Sequence, residues 1–511
     1  MRYNTTRPRR GTVYLVGAGP GDPKLLTVRG LELLRRADVV VYDHLVAPRL
    51  LRECQPSAKR IYVGKEADHH TLSQSAINRL LIKASRAGQT VVRLKGGDPF
   101  IFGRGGEEGI ELRRAGILFE VVPGVTSAIA VPAYAGIPVT HRQLASSVAI
   151  VTGHEDPTKE GSTIRWPKLA TACDTLVFLM GVSTLPGIVR QLTRHGRKAS
   201  TPCALIEWGA GPKQRTVTGT LSTIVTRARR ATIHPPAVFV VGDVVSLRRQ
   251  LNWFETKSLF GKRILVTRAS DKASSLTDQL EALGGEVEGL PAIELAPVKQ
   301  NGLLRRMLHD LPKADWVFFT SPEGIGWFSR MLKPYRKDVR WLSGCHIGAI
   351  GPKTAVALEE AGLHVDFVPK QFSQEGILSE FPTRVLSGKR ALILSAQESR
   401  DVLEAGLRKR GMTVTKVSIY QTKTPKAMRT GVTSVFREPF DAVTVTSASC
   451  VDHVYEALRA AGRSRMFRTL KFASIGPVTS SAVRAHGGRV IVEATVSTIE
   501  GLVDALRRKV R

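Results

Sequence analysis

The chain of 511 residues carries 75 Lys and Arg against 44 Asp and Glu, a formal net charge of +31, with 42% hydrophobic and 23% charged residues. That length predicts about three or four globular domains, and the composition excludes a wholly disordered chain and a fibrous repeat; with no apolar run of about 18 residues, a spanning helix is excluded too. The charge points to anionic partners, yet it is spread evenly, +17 over residues 1–255 and +14 over 256–511, as a solvated basic surface would also be.

The basic start MRYNTTRPRR leads into the strand-like TVYLVG and not into an apolar signal segment, which predicts a cytoplasmic protein. Strand-like and amphipathic helix-like runs then alternate: TVYLVG, LLTVRGLELLRRA, ADVVVYD, LSQSAINRLLIKASRAG, TVVRLKGG. This is the rhythm of an open, largely parallel α/β sheet. A second apolar series starts near Ser147 with SVAIVTG, DTLVFLMG and PAVFVVG and ends at VVSLRRQLNWFETKSLFGK, after which the pattern restarts at KRILVTR. The back half contains a duplication. Asp315 opens DWVFFTSPEGI, which resembles DAVTVTSASCV from Asp441 at an offset of 126, and HIGAIGPKTAVAL resembles FASIGPVTSSAV at an offset of 125. Two similar α/β lobes follow, with Thr-Ser pairs and IGP turns at the carboxyl edges of their sheets, where open α/β folds bind ligands. The same hydroxyls also suit helix caps. Cys54, Cys173, Cys203, Cys345 and Cys450 are far apart with no CxxC pair, so reduced structural thiols are expected.

Two glycine-rich stretches carry the front half. Gly17-Ala-Gly19-Pro-Gly21-Asp22, with Asp43 closing the next strand, looks like a dinucleotide fingerprint, but the third glycine falls at Asp22, and Pro20 and Pro23 stiffen the loop. In VVRLKGGDPFIFGRGGEE, Gly96, Gly97 and Asp98 follow a strand in a turn that lets a bulky ligand touch main chain. Through VYLVGAGPGDPKLLT, VVVYDHLV, VGK, this block, VVPGVTSAIAVPAYAGIPVTHR, VFLMG and PAVFVVGDVV, residues 11 to about 255 resemble uroporphyrinogen-III C-methyltransferase of the tetrapyrrole methylase family. The resemblance implies two methyl transfers from S-adenosylmethionine to carbon on uroporphyrinogen III, giving precorrin-2, a precursor of sirohaem and of cobalamin. It implies donor contacts at Pro20, Gly96, Gly97, Asp98, Ile101, Thr126, Ser127, Met180 and Gly209, and proton acceptor and donor roles for Asp43 and Lys65. Read alone, Asp43 suits a helix cap and Lys65 a surface charge. The substrate's eight carboxylates call for cations, with Arg93, Lys95, Arg104 and Arg142 as candidates beside the motifs. His44, His141 and His154 share no ligand spacing, so no metal is expected. Some relatives carry an oxidase and ferrochelatase module ahead of the methylase; with ten residues there, this chain is expected not to make sirohaem unaided.

Residues 260 to 511 resemble uroporphyrinogen-III synthase through ILVTR, FTSPEGI, VTSASCV, the IGP turns and VSIYQT. That resemblance implies closure of hydroxymethylbilane with inversion of the last ring, Tyr420 donating a hydrogen bond to the departing hydroxyl, and Thr320, Ser321, Thr446, Ser447, Ser449, Gly476 and Thr479 facing a cleft and holding carboxylates. The expected architecture is α/β throughout. A two-lobed tetrapyrrole-methylase fold spans 11–255 (lobes about 11–145 and 146–250), a linker spans 256–261, and two flavodoxin-like lobes around a cleft span 262–511, lobe one about 262–296 plus 421–511 and lobe two about 297–420. A homodimer through the methylase half is expected, with small-molecule substrates and neither nucleic acid nor membrane as partner. Two other readings stand beside it: a nicotinamide-dependent oxidoreductase, from the glycine loop and Asp43, and a nucleic-acid methyltransferase of the same front fold, from the pI of 10.4. Against the latter, aromatics make up 6% and interleave with no basic stripe.

Overall fold

The computed structural model describes residues 11–64, 72–155, 162–268, 273–298, 314–382 and 387–510. The chain divides into two compact units, the first built on the chain up to Arg263 and the second on Ile264–Gln279 and Val287–Val510.

The front unit begins with β1 (Val13–Gly17), β2 (Val39–Tyr42), β3 (Lys59–Tyr62), β4 (Val91–Lys95) and β5 (Phe119–Val122), in the order β3-β2-β4-β1-β5 and parallel at every junction. Strand alternation sends Val13, Leu15 and Val91 to one face, against Leu81 and Leu112, and Val16, Val92 and Leu94 to the other, against Leu33 and Leu34. Both faces are thus covered, which is why these strands read as unbroken apolar runs. Their carboxyl ends deliver 18–21, Asp43, 96–98 and 123–126 to one edge.

A second sheet holds β6 (Val148–Thr152), β7 (Thr175–Leu179), β8 (Pro202–Glu207), β9 (Arg215–Thr220) and β10 (Ala237–Val241), ordered β6-β7-β10-β8-β9. The expectation of a largely parallel sheet needs correction here. Only β6 and β7 run parallel, while β10 is antiparallel to β7 and β8, and β8 to β9. The short 208–214 connection between β8 and β9 makes a hairpin and has no room for a crossover helix. Helix Ser127–Tyr134 packs Ala128 and Val131 on the Val177, Ile206 and Val238 face of this sheet, joining the two layers of the unit.

The back unit contains β11 (Arg263–Val266), β12 (Glu286–Gly289), β13 (Glu294–Ala296), β14 (Trp316–Phe319), β15 (His346–Ala349), β16 (Arg390–Ala396), β17 (Thr413–Lys423), β18 (Ala442–Val445), β19 (Lys471–Ser474) and β20 (Arg489–Glu493). They form two sheets, β12-β11-β18-β19-β20 in lobe one and β13-β17-β16-β14-β15 in lobe two. The parallel path β11-β18-β19 repeats as β16-β14-β15. Glu294–Ala296 pairs antiparallel with Gln421–Lys423, so both chain crossings run beside one another at the edge of lobe two. All five cysteines are free, and burial pushes the Cys203 thiol up to about 12. Among the described residues, no helix is long and apolar enough to cross a membrane.

Candidate functional site

In the front unit, three loops meet at the carboxyl edge of the first sheet. Gly19 and Gly97 exchange main-chain hydrogen bonds, Gly97 N–H to Gly19 O at 2.7 Å and Gly19 N–H to Gly97 O at 3.2 Å. Gly124 closes the junction, where a Cβ would stand 2.3 Å from Gly97 O and 2.6 Å from Gly17 Cα. Asp98 clamps it. Its Oδ2 accepts from Gly124 N–H at 3.0 Å, and its Oδ1 accepts from Phe100 N–H at 2.8 Å and Ile101 N–H at 3.1 Å.

Below these loops lies a cavity of about 780 Å³. Pro20, Asp43, Arg93, Lys95, Gly96, Gly97, Ile101, Arg104, Ser127, Met180 and Gly209 all line it, together with His44, Phe102, His154 and Trp208. Four of the lining side chains sit on left-handed backbone, Phe102, Arg104, Met180 and Trp208 at φ of 51°, 60°, 57° and 47°. Non-glycine residues rarely adopt that conformation, and it gathers where a site over-determines its geometry. Gly209 is the tightest approach, since a Cβ there would fall 2.2 Å from Val131 Cγ1. Gly209→Ala should therefore cost about 1–3 kcal/mol by overpacking and displace the Trp208 turn; wild-type thermal stability in the variant would contradict this.

The cavity wall is electrostatically built. Glu108, fully buried, accepts through Oε1 from Gln74 Nε2 at 3.0 Å, Lys95 Nζ at 3.0 Å and Arg93 Nε at 3.3 Å. Arg93 continues to Val41 O, Leu94 O and, at 3.4 Å, Asp43 Oδ2. The other oxygen, Asp43 Oδ1, accepts from Leu45 N–H at 3.2 Å. Arg93 and Lys95 are therefore buried members of a four-charge network and not surface cations. Burial, and then the neighbouring Arg93, hold the Lys95 ammonium below the usual lysine range against the pull of Glu108.

In the back unit, the Tyr420 hydroxyl donates to Ser321 Oγ at 2.9 Å, with the ring buried and stacked near Trp327. Burial raises the Tyr420 phenol above its ordinary value, the Ser321 bond opposing, so the group stays a donor through the neutral range. Thr320 Oγ1 donates to Leu394 O at 3.3 Å, lacing two strand ends together. Ser447 caps helix Ala448–Ala460, accepting from Cys450 N–H at 3.2 Å, and contacts Ser449 Oγ at 3.0 Å. Gly476 N–H donates to Ser474 Oγ at 3.3 Å, and Thr479 is buried in the first turn of the helix that follows. Thr446 is half-buried at the same edge.

Residues 12–225 match the model of the Tetrapyrrole (Corrin/Porphyrin) Methylases and residues 274–504 that of Uroporphyrinogen-III synthase HemD. Over 499 residues, 97% of either chain, the sequence is 39% identical to the porphyrin biosynthesis protein HemD of Ruminiclostridium josui. The chain belongs to the family of tetrapyrrole methylases fused to uroporphyrinogen-III synthase. It is a methyltransferase and a uroporphyrinogen-III synthase in one polypeptide. It is also 41% identical to the uroporphyrinogen-III C-methyltransferase of Bacillus subtilis (strain 168), over 70% of this chain and 73% of that one. A solved uroporphyrin-III C-methyl transferase from Thermus thermophilus, complexed with S-adenyl homocysteine, is 44% identical, covering 46% of this chain and 93% of its own at a TM-score of 0.40.

Not every residue singled out in the methylase–synthase sequence reaches a cavity. Asp98 and Thr126 stand behind the wall, Asp98 as the loop clamp and Thr126 as cap of helix Ser127–Tyr134, accepting from Ala128 N–H at 3.3 Å. Arg142 is exposed and does not line the cavity. Lys65 lies outside the described residues. Among the described residues, no group of three His, Cys, Asp or Glu is placed to hold a metal. Sequence reading missed Glu108, although the doubled acid in GRGGEE was a usable signal. Adjacent helical positions face about 100° apart, so Glu107 turns out to Arg104 while Glu108 turns in. The left-handed Phe102 and Trp208 had no signal at all, because tertiary packing alone imposes their backbone.

Proposed function

We propose that this methylase–synthase carries out two consecutive steps on one tetrapyrrole. The back half, about 262–511, closes hydroxymethylbilane to uroporphyrinogen III with inversion of ring D. The front half, about 11–255, methylates that product twice with S-adenosylmethionine to precorrin-2. One observation carries the reading: residues as distant in sequence as Pro20, Asp43, Gly97, Ser127, Met180 and Gly209 line a single cavity.

The cavity suits the donor. Gly96, Gly97 and Gly209 bring bare main chain to it, and Ile101 and Met180 supply apolar surface. S-adenosylmethionine supplies an activated methyl whose S–C bond breaks as the C–C bond forms, the electron pair passing to sulfur. Asp43 takes the proton that the alkylated ring releases, held in place by Arg93 and by Leu45 N–H. Lys65 is the proton donor in this scheme, Arg104 meets substrate carboxylates at the cavity, and Arg142, outside it, meets only those that project beyond it. Arg93 and Lys95 reach the substrate only at the cavity wall, because Glu108 already engages both. Orientation carries most of the rate, as the methyl is reactive before it binds.

In the back half, Tyr420 passes its hydrogen bond from Ser321 to the departing hydroxyl. Thr320, Thr446, Ser447, Ser449, Gly476 and Thr479 hold carboxylates through hydroxyls and main-chain N–H groups. We further propose a cytoplasmic homodimer through the front half, with no metal in either step.

Hydroxymethylbilane and S-adenosylmethionine supplied to the full chain should yield dimethylated product from the type III isomer. Tyr420→Phe should slow cyclisation about 10²-fold or more and leave methylation of supplied uroporphyrinogen III unchanged. Release of only the symmetric isomer by the wild-type chain would end the synthase reading.

A further inference from the structure

The duplication in the back unit extends beyond the motifs legible in its sequence. Ser373 and Thr498, 125 apart, cap helices Gln374–Glu380 and Ile499–Lys509, accepting from Gly376 N–H at 2.9 Å and Gly501 N–H at 3.0 Å. Each of those glycines lets the chain fold back on the residue five before it: a Cβ would stand 1.8 Å from Gln371 O in one lobe and 2.2 Å from Val496 O in the other. The residue before each cap abuts the glycine of the IGP turn. Phe372 Cβ and Cγ would meet a Cβ on Gly351 at 3.2 and 3.3 Å, and Ser497 Oγ would meet one on Gly476 at 2.5 Å. The two turns are thus equivalent, at the carboxyl edges of β15 and β19.

What occupies them is apolar and open. Phe372 is 63% exposed beside the turn of lobe two, and Val478 and Val496 are 76% and 59% exposed beside the turn of lobe one. No other large apolar residue described in the back unit is as exposed as these three. The two turns are within electrostatic reach of each other. The Glu500 carboxyl, in the first turn of helix Ile499–Lys509, is held below the ordinary carboxylate range by its own backbone N–H and by the Thr498 hydroxyl, with a smaller contribution from the Lys353 ammonium, which follows Pro352 in the opposite lobe. Ser321 and Tyr420 stand at the carboxyl edge of the same lobe-two sheet. Strands β17 and β15 are three steps apart there, about 14 Å at the usual strand spacing. Flat apolar rings bearing carboxylates match such an edge, with apolar side chains beside cations such as Lys353 and Lys370 and beside hydroxyls.

We propose that Phe372 of lobe two, opposed by Val478 and Val496 of lobe one, is an apolar clamp that grips a pyrrole ring of the linear tetrapyrrole during closure. Phe372 is a positioning residue and takes no part in bond making. The proposal rests on the synthase reading above, and its test separates the two.

The full chain is assayed with hydroxymethylbilane, and the isomers of the product are resolved. Phe372→Ser, which gives lobe two the side chain that lobe one carries at 497, should raise KM at least tenfold with kcat within threefold, and Phe372→Tyr should keep wild-type values. Methylation of supplied uroporphyrinogen III should be unchanged in both. An unaltered KM in Phe372→Ser overturns the clamp while leaving the synthase reading intact. So does an unaltered KM accompanied by loss of self-association in sedimentation, which would assign Phe372 to a contact between copies. A wild-type chain that yields only the symmetric isomer removes the synthase reading itself. Phe372 is 63% exposed, so its replacement leaves the lobe-two core in place, and a kcat within threefold of wild type reports that the back unit is folded.

Discussion

Glu108→Gln should lower the unfolding free energy of the front unit by about 3–5 kcal/mol, the loss expected when one member of a buried charge network is removed and its partners stay behind. Glutamine keeps the shape and one acceptor oxygen, so packing changes little. What disappears is the negative charge facing two buried cations, Arg93 and Lys95, with only Asp43 left to balance them. Lys95 suffers most, because Glu108 Oε1 at 3.0 Å is its ion-pair partner. Urea unfolding followed by circular dichroism measures the effect on the front unit's transition. A loss under about 1 kcal/mol would mean that water already balances the network. Two companions sharpen the test. Glu107→Gln, one residue earlier and exposed, should change stability by no more than about 1 kcal/mol. Glu108→Gln combined with Lys95→Met should recover part of the loss, since the stranded ammonium is gone.

Asp98→Ala should reduce methyl transfer by about 10²-fold or more while leaving cyclisation by the back half untouched. The carboxylate accepts three main-chain N–H groups from two loops, 100–101 and 124. Hydrogen bonds to a charged acceptor contribute about 1.5–3 kcal/mol each, though not additively. Without them the Gly96-Gly97 turn loses its tie to Gly124 and retains only its exchange with Gly19. A drift of about 1 Å in such a turn is enough for a hundredfold loss when catalysis consists mainly of orienting a donor. Affinity for S-adenosylhomocysteine, by calorimetry, should weaken in parallel. Wild-type methylation in Asp98→Ala would show that the glycine loops hold their places unaided.

Much of this protein can be read from its residues alone. Apolar runs such as VVVY and VYLVG required a sheet covered on both faces, and the Gly-Gly-Asp turn after β4 required a close main-chain approach. The paired TS and IGP segments mark two matching lobes, because each recurs at an offset of 125 or 126 residues. Other features were hidden for definite reasons. The antiparallel half of the second sheet depends on strand order, which local alternation does not encode. Arg93 and Lys95 read as cations for substrate carboxylates, and their burial was hidden because their neutralising partner, Glu108, is 13 to 15 residues away and becomes adjacent only when a helix packs on the strand. Ser321 and Tyr420 are 99 residues apart and meet only across the lobe-two sheet.

By itself, then, the order of amino acids determined the two-part organisation, the family and the glycine-rich loops that line the front cavity, because turns, caps and periodicity are local and leave marks within a few residues. The tertiary structure alone decided which charges are buried, which hydroxyls lace strands together and which apolar residues stay open, because each is a balance of desolvation against partners brought from distant parts of the chain.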